Sequence, residues 1–165
     1  MALRWMGMAV VAATAATLLA VPQTAHGGPA YFHRDGRDRG PLDLKRVGIG
    51  YTGKTFVVSV ETYARLKARY LGGSRRVIGW GLDTKGDRKF DYVVVLTKVK
   101  GAPVCALSPA DSDKTWFIKT RFDADRTRCS TTRIRRTKRR IGWRVVSRYY
   151  ARFDYAPGKN RRFTI

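Results

Sequence analysis

The chain has 165 residues, of which 44% are hydrophobic and 28% charged, which is the size and composition of a single globular domain. Its 34 Lys and Arg residues against 12 Asp and Glu give a formal net charge of +22, which repels itself unless counter-ions or anionic partners screen it. With two His and two Cys in the whole chain, the sequence lacks the ligands for a zinc site. A catalytic triad would have to recruit His33, which lies near the N-terminus and away from the predicted strands.

The N-terminal residues 1–27 have the features of a secretory signal peptide. Arg4 gives a positive start, residues 5–21 are apolar and uncharged, and Ala25 and Gly27 place small residues before a cleavage point. The alternative is a membrane-anchoring helix, but this 17-residue stretch is shorter than the roughly 20 residues that a span needs. Cleavage would remove one cation and leave 33 basic against 12 acidic residues, a net charge of +21. We therefore expect a protein without a transmembrane span that is either released or associated with the cell envelope after secretion.

The predicted mature chain consists of a short lead-in and one domain. Residues 28–41 are polar and rich in turn residues, which predicts a flexible lead-in. Residues 42–165 are expected to form a single β-rich domain, which starts with a hairpin whose turn is at Thr52 and Gly53. Helical spacing in residues 63–73 predicts one short helix, with a bent strand as the alternative.

The rest of the chain alternates between apolar and polar residues with a period of two. Turn residues recur every 8–12 residues or so, and about eight strands are expected. The polar segment 127–136 is predicted to be an edge or solvent-facing strand. We predict an all-β fold, a single antiparallel β-sandwich with one short helix, and a small closed barrel of the OB type as the alternative.

The last predicted strand, within residues 141–153, has two unlike faces. One side carries the apolar residues Ile141, Trp143, Val145, Tyr149 and Phe153, and the other carries Arg144, Arg148 and Arg152. This pattern predicts one buried face and one cationic outer face.

The two cysteines, Cys105 and Cys129, are predicted to form a disulfide. An exported chain reaches an oxidising environment, where a lone pair of cysteines is usually joined. The alternative is a pair of free buried thiols.

The basic block from Arg133 to Arg148 is the first candidate site. We predict that it binds anions through Arg133, Arg135, Arg136, Lys138, Arg139, Arg140, Arg144 and Arg148. Tyr150 is expected to face outward with the arginines, where it could stack on a base or a sugar. The alternative is a solvated charged face that protects an edge strand.

The second candidate site is the turn of residues 83–91, where Asp83, Asp87 and Asp91 have the spacing of a calcium-binding turn. Lys85 occupies a position that should supply an oxygen ligand, which argues against calcium. The alternative is a hairpin turn in which the aspartates accept backbone N–H groups. The sequence predicts no cofactor, and calcium is the one alternative that this turn raises.

The segments GPLDLKRV, VETYARLKARYL and VIGWGLDTKGDRKFDYVVVL, within residues 40–150, carry a family resemblance. The chain resembles small secreted β-sandwich-like proteins of high-GC Gram-positive bacteria, a group without an assigned activity. In that group the segment that corresponds to LDTKGDRKFDY often has a more complete Asp-Gly-Asp turn. The resemblance implies a β-rich fold and export, and it transfers no functional residues.

Three functions are compatible with the sequence. The first is an exported, non-enzymatic protein that contacts an anionic polymer through an arginine-rich face. The polymer could be a cell-wall polymer, an acidic polysaccharide or nucleic acid. The second is a secreted phosphodiester hydrolase or nuclease that uses Glu61, the single glutamate, or an aspartate. The third is a secreted protein-binding or inhibitor module.

Overall fold

A computed structural model describes residues 31–34, 40–135, 140–156 and 163–164, with only the backbone described in the first and last of these ranges. These residues form eleven strands and one 3₁₀ turn, at Ala68–Tyr70. The strands are β1 (Tyr31–Arg34), β2 (Leu44–Thr52), β3 (Thr55–Thr62), β4 (Arg76–Asp83), β5 (Tyr92–Val99), β6 (Ala102–Pro109), β7 (Trp116–Arg121), β8 (Thr127–Thr131), β9 (Gly142–Tyr149), β10 (Arg152–Ala156) and β11 (Phe163–Thr164).

The strands form one continuous antiparallel sheet that curls into a nearly closed barrel. Their order is β1-β2-β3-β8-β7-β6-β5-β4-β9-β10, and β11 pairs with the start of β9. The predicted all-β antiparallel fold is confirmed, and its shape is close to the barrel alternative. The predicted signal peptide lies outside the described residues. Among the described residues, no helix has the length and apolarity to cross a bilayer.

The core fills the inside of this curved sheet. Alternation places Trp80 of β4 directly opposite Val94 of β5 on one side and Val145 of β9 on the other, and all three are buried. Trp143 is also buried and lies opposite Leu82. Burying each such side chain contributes roughly 1.5–3 kcal/mol, so this layer holds β4, β5 and β9 together.

Strand β7 is shared between the two halves of the sheet. Its first half, Trp116–Ile118, pairs with β6, and its second half, Lys119–Arg121, pairs with β8. The predicted disulfide is confirmed at this corner, where Cys105 of β6 and Cys129 of β8 have a Cα–Cα distance of 5.8 Å. The Cys105 N–H donates to the Thr120 hydroxyl at 2.7 Å, which further fastens the corner.

The two ends of the sheet meet where β2 begins. The backbone N–H of Leu44 donates to the Asp154 carboxylate of β10 at 2.7 Å. β2 and β10 are not neighbours in the hydrogen-bonded strand order of the described residues. Side chains therefore close this seam, whereas backbone hydrogen bonds join the strands elsewhere.

The predicted short helix is reduced to the 3₁₀ turn. The Leu66 N–H bonds to the Ala124 carbonyl at 3.0 Å, so this backbone group is used by a neighbouring loop and not by a helix. Leu66 and Leu71 are both buried, and their separation of five residues does not match one face of an α-helix. Packing against the barrel therefore overrides the helical spacing of the segment.

The prediction that residues 127–136 form an edge strand was wrong. β8 lies inside the sheet between β3 and β7, and Thr127, Cys129 and Thr131 are buried. The Thr127 hydroxyl donates to the Asp123 carbonyl at 2.9 Å, so this threonine is buried with its polar group satisfied.

Two other segments differ from their predicted form. The predicted flexible lead-in contributes β1, which pairs with β2. The predicted strand of residues 141–153 is a hairpin, because the chain reverses between Tyr149 and Arg152. Phe153 therefore returns opposite Arg148 and is 50% exposed, contrary to its predicted place on the buried face.

Candidate anion-binding site

The described members of the predicted basic block do not form one cluster. Arg136, Lys138 and Arg139 lie outside the described residues. Arg144 and Arg148 lie on the outer side of β9, about 13 Å apart along the strand. Arg133 and Arg135 lie in the connection that follows β8, and Arg140 is exposed before β9. The described members therefore extend along the barrel.

One group lies in a cleft at the end of β4. The cleft has a volume of about 280 Å³ and is lined by Thr84, Tyr92, Arg133, Ile134 and Arg135. The guanidinium carbon of Arg133 lies 4.7 Å from the centre of the Trp116 ring, within the range of a cation–π contact. This end of the barrel therefore holds two of the predicted arginines.

A second group surrounds the β9–β10 turn at the opposite end of β4. We call it the Tyr150 patch, and it consists of Arg69, Tyr70, Arg76, Arg148, Tyr149, Tyr150 and Phe153. Arg76 begins β4 and lies directly opposite Tyr149, so the register of β4 with β9 places it beside the turn.

Arg76 is held by backbone carbonyls and a ring. Its Nη1 donates to the Arg69 carbonyl at 3.1 Å, and its Nε donates to the Gly72 carbonyl at 3.4 Å. Its guanidinium carbon lies 5.7 Å from the centre of the Tyr150 ring. These contacts fix the direction of the guanidinium.

Arg148 is held in the same way from the other side of the turn. Its Nε donates to the Tyr150 carbonyl at 3.1 Å, and its Nη1 donates to the Ser74 carbonyl at 3.5 Å. Its guanidinium carbon lies 5.1 Å from the centre of the Phe153 ring. Arg148 is thus the one predicted anion-binding residue in the patch.

The aromatic rings of the patch support one another. The Tyr149 ring meets the Tyr150 ring edge-on at 4.9 Å and the Tyr70 ring at 6.4 Å. Phe153 lies nearly parallel to Tyr155, with ring centres 6.1 Å apart. Aromatic pairs of this kind stabilise one another, so the exposed rings start from a defined orientation.

The partners of these arginines are electrically neutral. Within the described residues, the contacts given for Arg69, Arg76 and Arg148 are with carbonyls, a phenol hydroxyl and rings, and no carboxylate takes part. Their positive charge is therefore not compensated. The hydrogen bond from Arg69 lowers the pKa of Tyr70, as expected beside an uncompensated cation.

Tyr150 has an unusual backbone conformation. Its φ of 58° lies in the left-handed region, which is normally occupied by glycine and costs a bulky residue about 1–3 kcal/mol. The two-residue turn Tyr150–Ala151 therefore retains a tyrosine where glycine would fit better. The ring that this tyrosine presents is 50% exposed.

Another cationic surface lies on the far side of the barrel. Arg121 of β7 and Arg128 of β8 lie directly opposite each other, and Lys119 precedes them on the same side. Like charges that face each other across strands destabilise a sheet. Sequence reasoning missed this surface because its members are few in each segment.

Comparison of the chain with protein-family models, with curated proteins and with solved structures finds no match. The resemblance to secreted β-sandwich-like proteins therefore stays a prediction.

Sequence reasoning also missed Arg69 and Arg76 of the Tyr150 patch. They are more than 70 residues away from Arg148, and only the pairing of β4 with β9 brings them to it. The signal available in the sequence was the Arg75–Arg76 pair at the start of a strand, next to a segment with tyrosines.

The predicted calcium turn is stabilised by its own backbone. Asp83 accepts the N–H groups of Gly86 at 2.6 Å and Arg88 at 2.8 Å, and Gly86 has the left-handed φ of 77° that the turn requires. Asp87 accepts the Lys89 N–H at 2.9 Å. These contacts favour the hairpin-turn interpretation. Among the described residues, no group of three or more His, Cys, Asp or Glu is placed to hold a metal ion.

Asp91 is the most strongly bonded of the three aspartates. It accepts the Thr84 N–H at 2.7 Å and the Thr84 hydroxyl at 2.8 Å, and its other oxygen lies 2.9 Å from Lys85 Nζ. Burial alone raises the pKa of Asp91, but hydrogen bonds from Lys85 and Thr84 outweigh burial and hold the pKa below its usual range. The Lys85 ammonium thus occupies a position beside the carboxylate that a calcium ion would need.

We expect Asp91→Asn to lower the free energy of unfolding by about 2 kcal/mol at pH 7, because the donors of Thr84 and Lys85 lose a charged acceptor. Since the folded-state pKa of Asp91 is lowered, its contribution is present above the ordinary carboxyl pKa of about 4 and is lost as pH falls through the folded value. The difference in thermal stability from the native protein should shrink below about pH 4. Thermal melts from pH 2 to 7 measure it.

Asp113→Asn, at an exposed position, is the control and should leave the melting temperature unchanged throughout this pH range. A difference for Asp91→Asn that grows as the solution is acidified would contradict the expected role of this carboxylate.

Glu61 is paired with a cation. Arg126 Nε donates to Glu61 Oε1 at 2.6 Å, and 18% of the Glu61 side chain is exposed. Arg65 forms a similar but more exposed ion pair with Asp125 at 3.3 Å. The glutamate that a hydrolase would use is therefore already neutralised by its neighbour.

Proposed function

We propose that this protein is an exported, non-enzymatic binding protein that holds an anionic polymer against the Tyr150 patch. The single observation that carries the proposal is the way its arginines are held. Arg76 and Arg148 are oriented by carbonyls and rings, so they keep their full charge while losing conformational freedom. The Arg69 side chain contacts only the hydroxyl and the ring of Tyr70 among the described residues.

An oriented guanidinium is well suited to polyanions. The planar guanidinium group can give two parallel hydrogen bonds to a phosphate or a carboxylate. Because the side chain is already ordered in the free protein, binding costs less conformational entropy. Binding then displaces counter-ions from the polymer, which favours association further at low salt. A net charge of +22 on the whole chain raises the local concentration of any polyanion around the patch.

Export is supported by the disulfide and by the predicted signal peptide. Cys105 and Cys129 are joined, and such bonds persist mainly in oxidising compartments. The polymers that a secreted protein meets include wall polymers, acidic polysaccharides and released nucleic acid.

Binding without catalysis is supported by how the candidate carboxylates are used. Glu61 is bonded to Arg126, and Asp83 and Asp91 accept backbone N–H groups. A general base needs a lone pair directed at substrate, and these carboxylates direct their oxygens at the protein.

A salt titration tests the proposal. Affinities for heparin, polyglycerol phosphate and poly(U) are measured by fluorescence anisotropy between 50 and 450 mM NaCl. Three phosphate contacts predict that the Kd of a single-stranded polyanion rises about tenfold for each threefold rise in salt. Affinity that does not change with salt, for all three probes, would contradict the proposal. Salt-independent capture of a protein would favour the inhibitor alternative.

A further inference from the structure

We infer that the polymer is single-stranded nucleic acid and that Tyr150 and Phe153 stack on its bases. This inference rests on the proposed function and adds the chemical class of the polymer. It depends on rings that are exposed, fixed in orientation and each accompanied by a guanidinium.

The exposure of the two rings differs from that of the core aromatics. Tyr150 and Phe153 are each 50% exposed, whereas Trp80 and Trp143 are almost completely buried. The ring of Tyr150 contacts the Tyr149 ring in an edge-to-face pair and has the Arg76 guanidinium over it. A half-exposed, supported ring offers one surface on which another planar group can stack.

The backbone conformation of Tyr150 also supports a binding role for its ring. A tyrosine with a φ of 58° is disfavoured relative to glycine, and strained positions of this kind often coincide with functional sites. The turn needs only a residue that tolerates this φ, so the turn itself does not require an aromatic ring.

Each exposed ring has a cation beside it. Arg76 accompanies Tyr150, and Arg148 accompanies Phe153 across the hairpin register. A nucleotide offers both complementary groups, an anionic phosphate and a planar base. Polyglycerol phosphate has the charge without a ring, and acidic polysaccharides have saturated rings that are not planar. In a duplex the faces of the bases are covered by stacking, so the single-stranded form fits best.

The test compares two probes with similar charge. Binding of a fluorescently labelled 12-nucleotide oligothymidine is measured at 100 mM NaCl, with unlabelled oligothymidine and unlabelled 12-phosphate polyphosphate as competitors. We expect the oligonucleotide to compete at least about tenfold better, because only it can stack. Replacement of alternate thymines by 5-bromouracil should give photo-crosslinks that map to Tyr150 or Phe153.

Variants then locate the stacking. Tyr150→Gly and Phe153→Leu are each expected to weaken oligothymidine binding about 5-fold to 100-fold. Polyphosphate binding should fall much less, because Arg76 and Arg148 keep their hydrogen bonds to backbone carbonyls. Tyr150→Gly relieves the left-handed φ, so its melting temperature should equal or exceed that of the native protein. Phe117→Leu is the matched control, since Phe117 is 60% exposed on β7 outside the patch, and it should bind as the native protein does.

The outcomes separate the inference from the proposed function. Equal competition by both probes, together with unchanged binding by the two patch variants, would overturn base stacking and leave polyanion binding in place. Equal losses in Phe117→Leu would overturn the location. If neither probe binds at 50 mM NaCl, the proposed function fails as well.

Discussion

Replacing Cys105 and Cys129 together with alanine is expected to lower the free energy of unfolding by about 3–4 kcal/mol. The bond closes a loop with a sequence separation of 24, and opening this loop gives the unfolded chain more conformations. For a domain of this size we expect the melting temperature to fall by roughly 10–15 °C.

The position of the disulfide makes it important for the corner of the sheet at which β7 passes from β6 to β8. β6 and β8 are not hydrogen-bonded to each other, because β7 pairs with one in its first half and with the other in its second half. Cys105 and Cys129 are nearly completely buried, so alanine at both positions also removes packed sulfur atoms from the core.

Thermal melts with and without reductant measure the effect. The reduced native protein should melt close to the double alanine variant, and the variant should not respond to reductant. A reductant-induced fall in melting temperature of equal size in both proteins would show that the loss has another cause.

The second large effect is expected on binding. Arg76→Ala combined with Arg148→Ala should weaken the binding of poly(U) at 50 mM NaCl about 30-fold or more, because two oriented, charge-assisted contacts are removed. Both side chains are half-buried and bond to carbonyls without a carboxylate partner, so their removal leaves no buried acid unpaired.

The barrel offers a matched control for net charge. Arg121→Ala combined with Arg128→Ala also removes two arginines that lie on adjacent antiparallel strands, but on the far side of the sheet. We expect the affinity of this variant for poly(U) to fall less than about threefold, because only the long-range electrostatic attraction decreases. Equal losses in the two double variants would mean that net charge, and not the Tyr150 patch, governs binding. Circular dichroism spectra of both variants serve as the check that they are folded.

Sequence patterns predicted the strands whose alternation is simple. The predicted alternation with a period of two is clear in β4, where Ile78, Trp80 and Leu82 form one uniformly apolar face. β8 was misjudged because buried threonines look polar in a sequence, although one hydroxyl is bonded to a nearby carbonyl. The β9–β10 hairpin was missed because Tyr150–Ala151 contains none of the residues that usually mark a turn.

The candidate site was predicted only in part, for a reason of distance along the chain. A run of basic residues shows where cations are dense, and Arg148 was found in this way. The Tyr150 patch also needs Arg69 and Arg76, which reach it through the register of β4 with β9 and the 3₁₀ turn. Strand register over such separations depends on the packed core and cannot be read from a local pattern.

The seam between β2 and β10 determines where the strands of this barrel separate transiently. Separating two strands elsewhere requires several main-chain hydrogen bonds to break together. Separating these two instead breaks contacts such as the hydrogen bond from the Leu44 backbone N–H to the Asp154 carboxylate. We therefore expect transient openings to begin along this line. Hydrogen exchange should then show a lower free energy of exchange for the amide protons of β10 than for those of β4, which is paired on both sides.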